Sequence, residues 1–180
     1  MSEVSVAVLA GGKSSRFGSP KINANLNGQE FGEIIFNILK KSQFEQIFLV
    51  GGERSDASRW GVDYLIDEFP DSGPLGALVT AMRKTRSQRL LILPCDVPFI
   101  DLQTIESLKL VSADFDVRVA RTDSPQWLCS IWRLGLKDFL ESQFAEGQRA
   151  IHQVCGLVKT EFIEVSSLSL RNINLISDLD

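Results

Sequence analysis

The chain is poor in the side chains that most chemistry of metals, redox centres and histidine bases needs. Among 180 residues there is one histidine, one tyrosine, two methionines and three cysteines. Cys95, Cys129 and Cys155 are far apart, odd in number and without CxxC spacing, which argues against a zinc site or a disulfide framework. An excess of positive charge is also missing. Nineteen Lys and Arg stand against 23 Asp and Glu, for a net charge of −4 and a pI near 5.1. A broad electrostatic grip on nucleic acid or acidic lipid is excluded on that balance, so any anion site must be local. The N-terminus has none of the zones of a signal peptide, and the apolar runs fall far short of the roughly 20 residues that cross a bilayer. The expectation is a soluble cytoplasmic protein with neither nucleic acid nor membrane as a partner.

No internal repeat, low-complexity tract or linker interrupts the chain. Its length and 44% hydrophobic content suit a sizeable core in one domain spanning residues 1–180. Short runs of Val, Ile, Leu and Phe predict strands over Val4–Leu9, Gln46–Val50, Arg89–Leu93, Asp116–Ala120 and Trp127–Trp132. Their near-continuous apolar character is that of strands covered on both faces. Helical spacing falls between them, over Phe31–Lys41, Leu75–Arg86, Leu102–Leu110 and Leu134–Phe144. A short helix over Arg149–Val154 and a strand over Leu157–Val165 are expected near the end, before an irregular tail. Alternating strand and helix predicts an α/β sheet with helices on both sides.

In such sheets ligands collect beyond the carboxyl ends of the strands, and three loops leave those ends with unusual residues. The first follows Leu9 in VSVAVLAGGKSSRFGSPK, residues 4–21. Gly11 and Gly12 let main-chain N–H groups approach a ligand, and Lys13, Arg16 and Lys21 supply charge for phosphate oxygens. A triphosphate suits this loop, as does a plain glycine turn with solvated charges. It is neither GxxxxGK[ST] nor GxGxxG, because no glycine falls at those spacings. The second is LLILPCDVPFI, residues 90–100, where Asp96 sits between Pro94 and Pro98. That carboxylate is placed to hold Mg²⁺, or else to cap the helix beginning near Asp101. Cys95 reads as a small buried filler. The third is DEFPDSGPLGAL, residues 67–78. Ser72, Gly73 and Pro74 turn into a helix whose first N–H groups are expected free for a carbonyl or an anion. Asp67 or Asp71 has the acceptors for a base bearing an amino group, or is simply solvated.

In this order these residues resemble a known family. LAGGKSSRFGSPK is similar to the LAGGxSxRxGxxK signature of nucleotidyltransferases that join a nucleoside triphosphate to a phosphorylated acceptor. PCDVPFI and SGPLGAL resemble the PCDxPF and GPLxG segments of the molybdenum cofactor guanylyltransferases in particular. Members that use CTP commonly read LAAG, and often GDxP at the aspartate; Gly11 followed by Gly12 leaves a purine more room and favours GTP. The resemblance implies a Rossmann-like, three-layer α/β/α nucleotidyltransferase fold of the GT-A kind with a mostly parallel sheet. It also implies a nucleotide-binding N-terminal half and an acceptor-binding C-terminal half.

Carried over residue by residue, Leu9, Ala10, Gly11 and Gly12 would meet guanine and ribose, and Lys13, Arg16 and Lys21 the triphosphate, with Lys21 on the α-phosphate. Asp67, Asp71 and Gly73 would meet the guanosine, and Asp96 would bind Mg²⁺. EGQRAI, residues 146–151, resembles the GxRR-like acceptor segment, which points to Arg149. NIN, residues 172–174, resembles an NxN segment, which points to Asn172 and Asn174. The implied partners are GTP, a phosphorylated pterin cofactor and proteins that handle that cofactor.

Three departures stand out. Leu175 and Ile176 replace the Thr-Pro that follows NxN, Ala150 replaces the second arginine of the acceptor segment, and Gly28–Phe31 reads GQEF where GKPL is usual, an acid replacing a cation. The implied reaction is attack of an acceptor phosphate on the α-phosphorus of GTP, with pyrophosphate leaving. A phosphate monoester is already anionic near neutral pH, so no general base is required, and His152 is expected to be structural or at the surface. Trp127 and Trp132 suit either a pterin pocket or the core. The rival expectations are a relative acting on cobinamide phosphate, a sugar phosphate or a polyol phosphate, and a nucleotide-binding module without turnover.

Overall fold

Strands whose side chains are apolar on both faces can only be inner strands of a covered sheet, and β1 (Val4–Leu9) is buried at all six positions. The computed structural model describes residues 3–11 and 20–173. After β1 come a small hairpin, β2 (Asn25–Leu26) and β3 (Gln29–Glu30), then α1 (Phe31–Leu39), β4 (Ile47–Val50), α2 (Arg54–Trp60) and β5 (Asp63–Leu65). The chain continues through α3 (Pro74–Lys84), β6 (Arg89–Pro94), α4 (Leu102–Lys109), β7 (Val117–Arg121) and β8 (Pro125–Arg133). It then runs through α5 (Lys137–Ala145), α6 (Ile151–Cys155) and β9 (Thr160–Glu164).

Among the described residues the main sheet has seven strands, in the order β5-β4-β1-β6-β8-β7-β9. Only β8 runs against its neighbours, pairing antiparallel with β6 and β7, while the other pairings are parallel. The chain first builds outward from β1 to β4 and β5, then crosses back to β6 on the other side of β1. Order therefore reverses between β1 and β6, and the crevice beyond their carboxyl ends is where such sheets bind ligands.

Helices cover both faces, as the alternating pattern predicts. One face packs Ile35, Phe36 and Leu39 of α1, Trp60 of α2 and Ile105 and Leu108 of α4 against Val6, Val8, Leu91 and Leu93. The other packs α3, Leu140 of α5 and Val154 of α6 against Ala7, Leu90, Ile92 and Trp132. The predicted strands and helices are all present, with ends moved by a few residues. The largest such shifts are at α5, which starts at Lys137 after a 3₁₀ turn over Leu134–Leu136, and at β9, which starts at Thr160 and not at Leu157.

Four elements were not expected: α2, β5 and the two strands of the small hairpin. RSDASRW carries only Ala57 and Trp60 as apolar anchors, too few for a periodic signal, yet it forms α2 and ends in a left-handed Gly61 at φ 62°. That glycine is the C-terminal stop signal of the segment. β5 has three residues and was too short to stand out. The tiny hairpin turns through Asn27 and Gly28, both at positive φ, the pairing that a tight two-residue turn favours.

α1 and α2 approach each other at a glycine. A Cβ on Gly32 would lie 2.2 to 2.5 Å from three ring atoms of Trp60, a ring that is nearly fully buried and 5.4 Å from Phe36. Gly32→Ala is therefore expected to destabilise the fold by about 1–3 kcal/mol through overpacking, even though alanine is the better helix former. Urea unfolding checks this, and a gain in stability would contradict the contact.

Candidate active site

The carboxyl ends of β1, β4 and β5 are laced together by main-chain bonds. Ala10 N–H donates to the Val50 carbonyl at 2.9 Å, and Gly51 N–H to that of Leu65 at 3.0 Å. Gly51 has φ 73°, and a Cβ there would lie 3.2 Å from the Gly11 nitrogen and 3.3 Å from its Cα. Glycine is needed at 51 for both reasons. Leu9 is buried and Ala10 half-buried, and Gly11 lies exposed beyond them. Gly12, Lys13 and Arg16 lie outside the described residues.

Beyond β5, Asp67 turns toward the same loop. Its Oδ1 accepts the Phe69 N–H at 2.9 Å and is 3.3 Å from the hydroxyl of Thr80, a buried residue of α3 that also accepts the Glu68 N–H. Its Oδ2 faces Gly11, where a Cβ would stand 3.4 Å away. Asp67 and Gly11 thus meet, with the carboxylate fixed from behind. Asp71 is exposed, with a left-handed backbone at φ 60° that shapes the turn.

At Gly73 the outcome differs from expectation. The first N–H groups of α3 were expected free for a ligand. The Arg149 carbonyl instead accepts the Leu75 N–H at 3.1 Å and sits where a Cβ on Gly73 would be 2.9 Å from it. Pro74 has no N–H to offer, so the start of α3 is closed by the chain itself. The Arg149 guanidinium is also engaged elsewhere. It donates to the carbonyls of Phe144 and Gln148, each at 2.7 Å, and lies over the Phe144 ring. In this arrangement it closes the end of α5, where carbonyls lack helical partners.

Asp96 and Lys21 come together. Lys21 Nζ donates to Asp96 Oδ2 at 2.6 Å, with both side chains mostly buried. Asp96 Oδ1 is buried and accepts no hydrogen bond. The alternative that Asp96 caps the next helix is overturned, because Asp101 does so by accepting the Thr104 N–H at 2.7 Å. The Asp96 carbonyl accepts the N–H of Ile173 at 3.1 Å, and Ile173 is buried with Ala24, Phe31 and Phe99. The NIN segment is thereby brought to the Asp96 loop; Asn172 is exposed beside it, and Asn174 lies outside the described residues.

A group that the sequence reading missed holds Lys21 in place. Lys21 begins a 3₁₀ turn, Lys21–Asn23. Asn23 Nδ2 donates to Oδ2 of Asp56, a buried carboxylate whose Oδ1 accepts from Arg59 at 2.8 Å. Arg59 also pairs with Glu30 at 2.9 Å. The acid that departs from the family pattern after Gly28 is therefore neutralised by a cation from α2. Nothing in the sequence pointed to Asp56, since α2 itself was not expected.

Cys95 is half-buried beside Asp96, and burial first, then the Asp96 charge, pushes its thiol up to about 12. Burial likewise raises Cys129, and raises Cys155 to about 12. All three are protonated near neutral pH and are poor nucleophiles. Trp132 is fully buried and donates its indole N–H to Ser130, which makes it core. Trp127 is half-buried, and His152 is exposed near its ring.

Among the described residues no three His, Cys, Asp or Glu side chains form a metal cage. A divalent ion at the buried, unpartnered Asp96 Oδ1 would draw most of its ligands from phosphate oxygens and water, the manner in which Mg²⁺ is commonly held. No helix among the described residues is long and apolar enough to cross a membrane.

Comparison with known proteins bears on the family and the fold. A probable molybdenum cofactor guanylyltransferase of Clostridium perfringens is 26% identical over 166 residues, covering 91% of this chain and 83% of that protein. A molybdenum cofactor guanylyltransferase of Haemophilus influenzae is 28% identical over 185 residues, covering 98% and 95%. The crystal structure of molybdopterin-guanine dinucleotide biosynthesis protein A from Archaeoglobus fulgidus superposes with a TM-score of 0.80 at 23% identity, over 97% of this chain and 94% of that one. The MobA-like NTP transferase domain matches residues 6–159, so the chain, with its β1/β6 crevice and the PCD aspartate at its mouth, belongs to that family of nucleotidyltransferases.

Proposed function

We propose that the chain transfers GMP from GTP to the terminal phosphate of molybdopterin and releases pyrophosphate, within one domain whose N-terminal half binds nucleotide and whose C-terminal half binds the acceptor. The observation that carries this is the pairing of Lys21 with Asp96 at the reversal point of the sheet, next to the Gly11–Asp67 contact. The two relatives with guanylyltransferase names described above match 91% and 98% of the chain.

In this reading the base lies against Gly11, where a side chain is lacking and Asp67 Oδ2 faces inward. Guanine presents two adjacent donors, N1–H and the 2-amino group, which suit a carboxylate acceptor. Lys21 exchanges Asp96 for the α-phosphate, and Lys13 and Arg16 hold the β- and γ-phosphates. An oxygen of the acceptor phosphate attacks the α-phosphorus, the bond to the β-phosphate oxygen breaks, and a phosphoanhydride and pyrophosphate result. The attacking oxygen is already anionic, so the step needs no base. Asp96 is the ligand proposed for Mg²⁺, which when bound would offset charge on the phosphates. The protein otherwise contributes alignment and fixed cations.

Lys21→Ala is expected to lower guanylyl transfer by more than about a hundredfold, with folding intact by circular dichroism. Wild-type turnover in that variant removes Lys21 from the mechanism. Asp96→Asn is expected to shift the magnesium dependence of pyrophosphate release to higher concentration and to slow it; an unchanged titration refutes the ligand assignment. Among the described residues a methyl on Gly11 meets nothing closer than 3.4 Å, so Gly11→Ala is expected to fold normally while raising the KM for GTP by about tenfold, equivalent to ~1.4 kcal/mol. Pyrophosphate release from GTP, CTP and ATP with molybdopterin and with other phosphorylated acceptors tests base and acceptor together.

A further inference from the structure

β8 contains an irregularity that the guanylyl transfer reading leaves without a role. Val119 of β7 faces Ser130, but the next residue, Ala120, faces Gln126, so Trp127, Leu128 and Cys129 have no counterpart on β7. On its other side β8 stops pairing with β6 at Ile92 and Ser130. The three bulged residues consequently lie past the last paired position of β6, toward the strand end from which Asp96 emerges. Ser130 Oγ donates to the Trp127 carbonyl at 2.8 Å and closes the bulge. Bulges of this kind bend a strand and re-aim a side chain, often beside active sites.

The side chain re-aimed is Trp127, and it does not stand alone. Its ring is 5.8 Å from that of Phe162 on β9, nearly edge-on at 76°, and 6.2 Å from that of His152 on α6. Arg121, the last residue of β7, lays its guanidinium 4.1 Å over Phe162. Val119 pairs with Phe162 and Arg121 with Glu164 in the β7/β9 ladder, which puts Arg121 and Phe162 on the sheet face of Val117 and Val119. Trp127 packs into the cluster on that same face. Three strands and one helix thus contribute one row of aromatic and cationic groups near the carboxyl edge of the sheet.

The row is open to solvent where a core would be closed. Phe162 is 37% exposed on the last strand of the sheet, and His152 is exposed. The only acid within ion-pair distance of Arg121 among the described residues is Glu164, at 3.8 Å and 71% exposed. A pair so long and so wet is weak, which leaves Arg121 available to a ligand anion. Aromatic faces stack on flat heterocycles, and a guanidinium over a ring adds a partner for an anionic group.

We infer that Trp127, Phe162, Arg121 and His152 form the subsite for the flat heterocycle of the acceptor, with Arg121 meeting its anionic side. The inference rests on the proposed transfer reaction at Asp96 and assigns the other half of its substrate pair. A soluble probe tests it apart from turnover: the phosphate monoester of 6-hydroxymethylpterin, titrated by its own fluorescence into the full chain. Phe162→Ala and Arg121→Ala are each expected to weaken probe binding by roughly fivefold or more, with GTP affinity unchanged. Arg121→Ala removes a half-buried surface side chain and keeps the test open should Phe162→Ala unfold. Equal probe affinity in the wild type and in both variants, or no binding to the wild type, overturns the subsite. Probe binding that depends on the row, in a protein that makes no pyrophosphate from GTP and molybdopterin, counts against guanylyl transfer and leaves the subsite standing.

Discussion

The ion pair between Lys21 and Asp96 joins two segments 75 residues apart in sequence, one following the first loop and the other ending β6. Such a pair is costly to assemble, because each group loses water and regains only what its partner and neighbours supply. Here the neighbours supply little to Asp96, whose second oxygen is buried and unbonded. An acceptor left so is unfavourable by about 1–3 kcal/mol. The fold tolerates this because β1 is buried throughout and β6 at its four central positions, and because the turn that Lys21 begins is tied down by the Asn23, Asp56 and Arg59 network. A site held in this state is arranged for a ligand more than for stability.

Much of the N-terminal architecture was legible from the chain. β1, β4 and β6 announce themselves as unbroken apolar runs, and the glycines and the PCD aspartate lie directly after them, so topology alone brings those loops to one edge. What the sequence hid is of another kind. α2 has two apolar anchors in seven residues, and its importance lies in Asp56 and Arg59, which look like ordinary surface charges until their tertiary partners are known. The closing of α3 by Arg149 is made by a main-chain carbonyl, a group every residue possesses, so no residue type could have signalled it. The arginine that looked like an acceptor ligand contributes its backbone to one helix and its side chain to another.

The departures from the family pattern also become physical. Glu30 stands where a cation is usual nearby, and its charge is met by Arg59, so local neutrality survives although the partners are new. The NIN segment lacks its usual Thr-Pro sequel, yet Ile173 still binds the Asp96 carbonyl and fills the small cluster of Ala24, Phe31 and Phe99. Both departures are thus met by contacts that this chain makes around Asp96 and Lys21.

Gly32 lies on a helix with no atom in the site, yet its empty side position sets where Trp60 rests. Arg59 precedes that ring and reaches Glu30 and Asp56 from it; Asp56 holds Asn23, and Asn23 ends the turn that Lys21 begins. The absence of one methyl group thus acts as the fulcrum of a short lever whose far arm is the lysine. Selection on the charge of the site would be felt, through that lever, as selection on the spacing of two helices.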